Sequence, residues 1–169
     1  MRVLAICIAL FGPWIFAAAT LAQETGSDSQ TATASCDFDD GKQISVQYNN
    51  SAGAKDEPRN GKVWEPGGSP MSLYTQVPIV LNNVEIPVGA YFMYVIPGKK
   101  DWTLIVSKNV TAGSKYDDKQ DLVRASMELG NVSTPVKPLQ VVFGHMGPKV
   151  CSIRLYYGNS GAFAEFTEK

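Results

Sequence analysis

The residues of this chain that could do chemistry are few and far apart. The densest acidic group consists of Asp117, Asp118 and Asp121, next to Tyr116. A flexible loop with several carboxylate oxygens can hold a hard cation such as calcium. However, the spacing does not match an EF-hand loop, and neighbouring lysines dilute the negative charge. We expect a solvated loop with no metal site, and these three aspartates are the candidates if a metal is bound.

His145 is the only histidine in the chain, so a Ser-His-Asp or Cys-His catalytic set would have to include it. It precedes Met146 in a segment that is typical of a hairpin turn. Imidazole and thioether groups suit copper, but the other methionines are not clustered in the sequence. We therefore favour an exposed turn histidine over a metal ligand at His145.

The richest mixture of residue types for a binding site lies in the segment from Gly61 to Met71. It contains Trp64, Glu65, a Gly-Gly pair and two prolines. Loops on a rigid scaffold often carry binding chemistry, and aromatic faces bind sugars and apolar ligands. We expect Trp64 and Glu65 to line a shallow pocket, with Tyr116 and Asp117 as second candidates. In the alternative interpretation, Trp64 is core packing rather than an exposed platform and Glu65 is solvated.

Acid–base catalysis of glycoside hydrolysis needs two carboxyl groups that face each other across a cleft. Most of the available glutamates lie in predicted loops or at strand ends, and the sequence does not pair them: Glu57, Glu65, Glu85 and Glu128. We expect no catalytic residues, and a hydrolase-like enzyme with acidic loop residues is an alternative.

The first residues have the pattern of a secretory signal peptide. Met1-Arg2 is positively charged, Val3 to Ala19 is apolar, and Thr20-Leu21-Ala22 provides a small-x-small cleavage site. The sequence therefore predicts that residues 1–22 are removed by cleavage before Gln23. It also predicts a periplasmic or secreted location.

Cleavage there removes Cys7 and leaves Cys36 and Cys151 as the two cysteines of the mature chain. An even number of cysteines in an oxidising compartment favours a disulfide. The sequence therefore predicts a Cys36–Cys151 bond that ties the first strand to a late one.

The charge of the chain excludes some partners. It has 15 basic and 16 acidic residues, and removal of Arg2 leaves 14 basic ones (15 − 1), a formal charge of −2. A mildly acidic chain with no basic run lacks the electrostatic signature of a nucleic-acid-binding protein. After Ala22, no apolar run approaches the roughly 20 residues that span a bilayer. We expect no nucleic-acid partner and no membrane span after signal cleavage.

The elements that must position these residues are predicted to be strands. Residues 23–34 are polar and aperiodic, which favours a flexible leader. From residue 35 onward, alternating apolar runs are separated by turn signals such as Asp39-Asp40-Gly41, Asn82-Asn83 and Tyr157 to Gly161. The sequence predicts one all-β domain over residues 35–169. We expect an antiparallel β-sandwich or flattened barrel of about ten short strands with no major helix.

Two of these strands are expected at the centre of the core. Tyr91 to Ile96 is apolar on both faces, and a Pro-Gly-Lys-Lys-Asp loop joins it to the returning strand Trp102 to Ser107. A strand that is apolar on both faces is buried on both. We therefore predict a central hairpin.

Short motifs follow one another in a distinctive order through most of the mature chain: Cys36-Asp37-Phe38, Gly41 to Val46, Gly61-Lys62-Val63-Trp64, Ile86 to Tyr91, Ile96 to Lys99, Trp102 to Lys108, Tyr116 to Ala125 and Cys151 to Leu155. In this order they resemble a family of secreted bacterial proteins called domain of unknown function 2911. The resemblance implies a secreted β-rich domain with no established activity.

The chain departs from that family's pattern at one place. Family members usually follow the Val-Trp pair with a segment that ends Gly-Ala-Asn-Glu-Ala-Thr. Here Glu65 to Ser72 takes its place and lacks the polar Asn-Glu pair. If the family's site lies there, this chain has lost or altered it.

These observations favour a periplasmic or secreted, non-catalytic binding or accessory domain without a cofactor. Its partner would be a small molecule, a glycan or an envelope protein. An enzyme and a structural cell-envelope protein are the alternatives. An exposed aromatic patch would indicate binding, whereas convergent acids in a cleft would indicate an enzyme.

Overall fold

A computed structural model describes residues 31–50 and 57–169. This part of the chain contains nine strands and two short 3₁₀ helices, Pro66–Gly68 and Asp118–Gln120. The strands are β1 (Thr31–Asp37), β2 (Gln43–Asn49), β3 (Met71–Thr75), β4 (Ile79–Leu81), β5 (Val84–Ile86), β6 (Gly89–Ile96), β7 (Trp102–Ser107), β8 (Asp121–Gly147) and β9 (Val150–Glu168). The expected signal peptide, residues 1–22, and leader residues 23–30 lie outside the described residues.

The nine strands form one open antiparallel sheet in the order β1-β2-β3-β6-β7-β8-β9-β4-β5. The first part of β8 pairs with β7 up to Met127, and the remainder pairs with β9 from Glu128 onward. Strand β8 therefore belongs to two layers. We call β1, β2, β3, β6, β7 and the start of β8 the front layer, and the rest of β8 with β9, β4 and β5 the back layer. The predicted all-β antiparallel architecture is confirmed.

Strands β8 and β9 are longer than the sequence predicts, with 27 and 19 residues. The turn expected from Tyr157 to Gly161 is absent, and β9 continues through it. Gly158 has a positive φ of 58° there, and the pairing with β8 shifts register on both sides of Val136. Unequal numbers of residues on paired strands bend them without reversing the chain. A glycine-rich stretch has thus produced a bend instead of a turn.

Strand β1 begins four residues earlier than the predicted domain boundary. Thr31 pairs with Asn49, and the register continues to Asp37 opposite Gln43. The end of the expected leader, up to Ala34, is therefore part of a strand. Its polar sequence has no apolar alternation and therefore did not predict a strand. Backbone hydrogen bonds to β2 are nevertheless sufficient to hold an edge strand.

The predicted hairpin of β6 and β7 lies at the centre of the front layer. Met93 and Val95 are fully buried on the inner face, and Tyr94 pairs with Ile105 on the outer face, where both are buried. Phe92 and other outer residues are only partly buried. The outer face is buried at its centre because the loop between β7 and β8 folds back over it.

The predicted disulfide is confirmed. Cys36 on β1 is bonded to Cys151 on β9, and their Cα atoms are 6.2 Å apart. The bond joins the edge strand of the front layer to β9 of the back layer, so it links the two layers covalently. Such a bond is compatible with a location outside the cytoplasm. In the described ranges, no helix is long and apolar enough to cross a membrane.

Candidate functional site

Trp64 is a core residue and not the exposed platform considered for it. Its backbone N donates to Val95 O at 2.7 Å, and Val95 N donates to Trp64 O at 3.1 Å. Because residues directly opposite in an antiparallel pair share a face, the indole enters the core beside Val95. There it meets Trp102 and Tyr157 edge-on, at centroid distances of 5.8 and 5.2 Å. Only 5% of Trp64 is exposed.

Glu65 lies on the other face of the front layer. Its backbone is extended, with φ −101° and ψ 95°, so its side chain points opposite to that of Trp64. This places Glu65 on the outer face with Tyr94. The pKa of the Tyr94 hydroxyl is raised by burial and then by the charges of Glu65 and Asp121. The two neighbouring candidates therefore serve different faces, and Glu65 is the one that is partly accessible.

Tyr116 is held in place on this outer face. Its ring packs against Tyr94 with centroids 4.9 Å apart. Its hydroxyl donates to Asp121 Oδ2 at 2.7 Å and accepts from Arg124 Nη2 at 2.8 Å. Arg124 Nε donates to the same Asp121 Oδ2 at 2.7 Å. These three residues form a closed triangle of hydrogen bonds.

Tyr116 and Arg124 both remain protonated at neutral pH. Burial, with the hydrogen bond to Asp121, raises the pKa of Tyr116 to about 12. The hydrogen bond to Asp121 also raises the pKa of Arg124. At neutral pH Tyr116 is therefore a neutral phenol that donates its proton, and Arg124 is a cation.

The short helix before β8 explains the acid-rich sequence of this segment. Asp117 caps it, because its Oδ1 accepts from Lys119 N at 3.1 Å. Asp118 is exposed within the helix. The helix turns the chain so that Asp121 opens β8 opposite Ser107. Asp117 thus has a local structural role. Asp121, which the sequence offered only as a candidate metal ligand, instead accepts the hydrogen bonds of Tyr116 and Arg124.

Asp121 has one oxygen without a partner. Its side chain is 9% exposed, and Oδ1 is a buried oxygen with no hydrogen-bond donor in the structure. A buried carboxylate oxygen without a donor is costly, and it calls for a hydrogen-bond donor or water.

A cleft of about 520 Å³ brings the separate candidates together. We call it the Tyr116 cleft. Trp64, Glu65 and Tyr116 are among its lining residues, whereas Asp117 is not. Its lining includes two acids, two bases and two aromatic residues, and consists of Glu57, Arg59, Lys62, Val63, Trp64, Glu65, Gly68 and Tyr116. The structure therefore has a concavity at Trp64 and Glu65, where the sequence predicts a pocket. The segment that departs from the family pattern contributes Glu65 and Gly68 to its lining.

The metal candidates are not assembled. His145 lies at the far end of β8 opposite Cys151, and its Nε2 is 3.2 Å from Asp39 Oδ1. Asp117, Asp118 and Asp121 belong to the helix and strand described above. Within residues 31–50 and 57–169, no group of three or more His, Cys, Asp or Glu could hold a metal ion.

A second concavity, which the sequence analysis missed, lies on the outer face of the β8–β9 hairpin. It has a volume of about 350 Å³, and Arg154, Tyr156 and Phe163 are among its lining residues. In the sequence these side chains alternate with core residues, a pattern common to every half-buried strand. The signal that could have indicated it is the glycine-rich Gly158-Asn159-Ser160-Gly161 stretch, which bends β9.

Comparisons with curated proteins and with solved structures find no match. A family model described as "Protein of unknown function (DUF2911)" matches residues 29–164. The match includes every strand up to and including most of β9. This chain therefore belongs to the DUF2911 family of proteins of unknown function.

Proposed function

We propose that the protein is an exported, non-catalytic binding domain and that the Tyr116 cleft is its ligand site. The observation that carries this proposal is the triangle of Tyr116, Asp121 and Arg124, which fixes an aromatic ring in a cleft of mixed charge. A side chain that is already ordered loses little conformational freedom when a ligand binds. The cleft is therefore prepared to bind.

The lining indicates a neutral, polar ligand. Arg59 and Lys62 supply hydrogen-bond donors, and Glu57 and Glu65 supply acceptors. Charges of both signs in one small cleft disfavour a strongly charged ligand and favour one with many hydroxyl groups. An aromatic ring among such groups suits the apolar face of a sugar. We infer that the ligand is a glycan.

Two features support a binding role over a catalytic one. The pKa of Tyr116 is raised to about 12, so its hydroxyl is protonated at neutral pH. That hydroxyl already donates a hydrogen bond to Asp121. A general base needs a pKa near the working pH. Arg124, also protonated, completes the triangle as a structural cation.

Export is supported by two independent observations. The sequence begins with a signal-peptide pattern, and Cys36 and Cys151 form a disulfide. Disulfides persist in oxidising compartments. We infer a periplasmic or secreted location.

The experiment is a thermal-shift screen of the secreted protein against N-acetylglucosamine oligomers, gluco-oligosaccharides and soluble cell-wall fragments. A ligand that binds only the folded state raises Tm. We expect at least one glycan to raise the Tm of the wild type and to raise that of Glu65→Gln much less. The matched control is Glu85→Gln, because Glu85 is an exposed glutamate that pairs with Lys169 away from the cleft.

Three results would contradict the proposal. One is that no glycan raises the Tm of the wild type. Another is that the glycan response is the same in Glu65→Gln and Glu85→Gln. Conversion of the bound glycan to a product, detected by mass spectrometry, would show that the domain is an enzyme.

A further inference from the structure

We propose that the outer face of the β8–β9 hairpin holds a second ligand site, which binds a small carboxylate carried on an apolar body. Arg154 binds the carboxylate, and Met146, Tyr156 and Phe163 contact the apolar part. We call this concavity the Arg154 groove. It shares no lining residue with the Tyr116 cleft, so the proposal stands independently of the glycan site.

The bend in β9 creates the groove. Residues 150–156 of β9 pair with one part of β8, and residues 158–163 pair with an earlier part. Between them Gly158 adopts a positive φ, and the two parts of β9 face a common hollow of about 350 Å³. Small-molecule sites typically begin at about this volume and are mostly apolar with a few polar groups. The lining is mostly apolar and aromatic, and Arg154 and Glu165 are its two charged residues.

Arg154 is the unusual residue in this hollow. It is partly buried, and its guanidinium forms no ion pair with any carboxylate in the described part of the chain. The hydrogen bond that it makes there runs from Nη2 to Met146 Sδ at 3.5 Å. A guanidinium has five N–H donors, and a thioether sulfur is a weak acceptor. Most of the donors of Arg154 therefore remain available for an external anion.

Two glycines make room for the binding groups. A Cβ at Gly144 would lie 3.1 Å from Arg154 Nη2, and a Cβ at Gly161 would lie 3.0 Å from the ring of Tyr156. Both distances are shorter than ordinary van der Waals contact. The guanidinium and one edge of the ring therefore lie close against these glycines, beside the hollow. This packing restricts both side chains before any ligand arrives, which lowers the entropy cost of binding.

Charge and shape together select the ligand class. Planar guanidinium groups bind carboxylates through two parallel hydrogen bonds. Glu165 lines the same groove and adds a negative charge, which disfavours a doubly charged phosphate monoester more than a singly charged carboxylate. Met146, 53% exposed, gains apolar contact when the body of the ligand settles on it. An aromatic or medium-chain carboxylate satisfies all three conditions.

The test is a titration of the full secreted domain with 3-phenylpropionate and with octanoate, followed by calorimetry or NMR. We expect saturable binding, and we expect the neutral analogue 3-phenylpropanamide to bind about tenfold more weakly or not at all, because the charge-assisted pair is lost. Octyl phosphate is expected to bind more weakly than octanoate. Arg154→Gln should weaken binding of 3-phenylpropionate by about tenfold or more.

The glycines provide a matched pair of variants. Gly144→Ala should push the guanidinium aside and weaken binding, whereas Gly147→Ala should not, because a Cβ at Gly147 has nothing within 4 Å. Arg124→Gln is a further control, since it disturbs the Tyr116 cleft and leaves this groove intact. The Tm of each variant without ligand verifies that it is folded.

The proposal is overturned if neither carboxylate binds the wild type, or if 3-phenylpropanamide binds as well as 3-phenylpropionate. It is also overturned if folded Arg154→Gln retains full affinity. Equal weakening in Gly144→Ala and Gly147→Ala would show that the position of the guanidinium does not matter. Stronger binding of octyl phosphate than of octanoate would assign the groove to phosphate head groups instead.

Discussion

Arg124 at the start of β8 lies on the outer face of the front layer, and Arg154 on β9 lies on the outer face of the back layer. Each is close to a tyrosine, but their partners differ. Arg124 on β8 donates to Asp121 at 2.7 Å and to Tyr116 at 2.8 Å. Arg154 on β9 donates to the sulfur of Met146 at 3.5 Å. Arg124 is therefore ion-paired with an acid of its own strand, whereas Arg154 has no carboxylate within ion-pair distance in the described residues.

This difference separates a structural role from a binding role. A charge-assisted hydrogen bond within the fold orders both partners and stabilises the native state. A guanidinium that the fold leaves without a carboxylate contributes little to stability, but its donors can meet an anion from outside. Both residues are arginines on the outer face of a strand, so the presence or absence of an ion pair decides the role.

The largest expected effect comes from the covalent bond that clamps the strand of Arg154. Cys151 precedes Arg154 on β9, and the disulfide closes a separation of 115 residues. In the chain-entropy model, a loop of that size contributes about 4–5 kcal/mol to the free energy of unfolding. The double variant Cys36→Ala, Cys151→Ala should lose about this amount in denaturant unfolding. Wild-type protein unfolded with a reductant should show the same loss, and a loss below about 1 kcal/mol would contradict the model.

The next largest effect tests the ion-paired arginine, Arg124, through its partner Asp121. Asp121→Asn replaces the acceptor of two hydrogen bonds with an amide, and we expect a loss of about 2–3 kcal/mol in the free energy of unfolding. Asp101→Asn is the control, because Asp101 makes an exposed hydrogen bond to Ser126. That variant should change stability by less than about 0.5 kcal/mol. If the two variants behave alike, the triangle around Tyr116 does not stabilise the fold.

The pH dependence of stability reports the same triangle by another route. Unfolded protein releases the Tyr116 proton near its ordinary pKa of 10.0, whereas folded protein holds it to about 12. The folded state binds more protons in that interval, so stability is full below pH 10 and declines as the pH rises towards 12. Allowing for partial exposure of Tyr116, we expect a decline of about 1–2 kcal/mol. Tyr116→Phe should show a smaller decline, and its tyrosinate absorbance above the ordinary tyrosine range should be lower by one tyrosine, because Tyr94, whose pKa is also raised, still titrates there. A wild-type titration without a step above the ordinary tyrosine range would contradict this account.

Local sequence patterns were sufficient for the class of fold. Alternating runs and turn residues such as Asn82-Asn83, both with positive φ, act within a few residues and therefore show in the sequence. The disulfide followed from having two cysteines left. The lengths of β8 and β9 did not follow, because a glycine-rich bend and a glycine-rich turn have the same composition. Only pairing with a distant strand decides between them.

The site was harder to predict than the fold, because it depends on which face each side chain occupies. Trp64 and Glu65 are neighbours in sequence and lie on opposite faces, and an isolated bridge to Val95 sets this arrangement. Tyr116 joins Glu65 in one cleft only because its loop folds back over Tyr94. The sequence did not single out Arg154, because whether an arginine forms an ion pair in the described structure depends on three-dimensional packing.

The smallest expected effect is the sharpest test of the comparison. Arg124→Gln removes a charge-assisted hydrogen bond to the largely buried Asp121 and another to the Tyr116 hydroxyl, so it should lower the free energy of unfolding by about 1–2 kcal/mol. Arg154→Gln removes a cation that has no carboxylate partner in the described structure, and it should change stability by less than about 0.5 kcal/mol. Each substitution removes a guanidinium group from the outer face of a strand, β8 for Arg124 and β9 for Arg154. Each variant therefore serves as the control for the other in denaturant unfolding. A loss at Arg154 as large as that at Arg124 would mean that its contacts hold the hairpin together. In that case its donors are already used, and the distinction between a structural and a ligand-binding arginine does not apply to this protein.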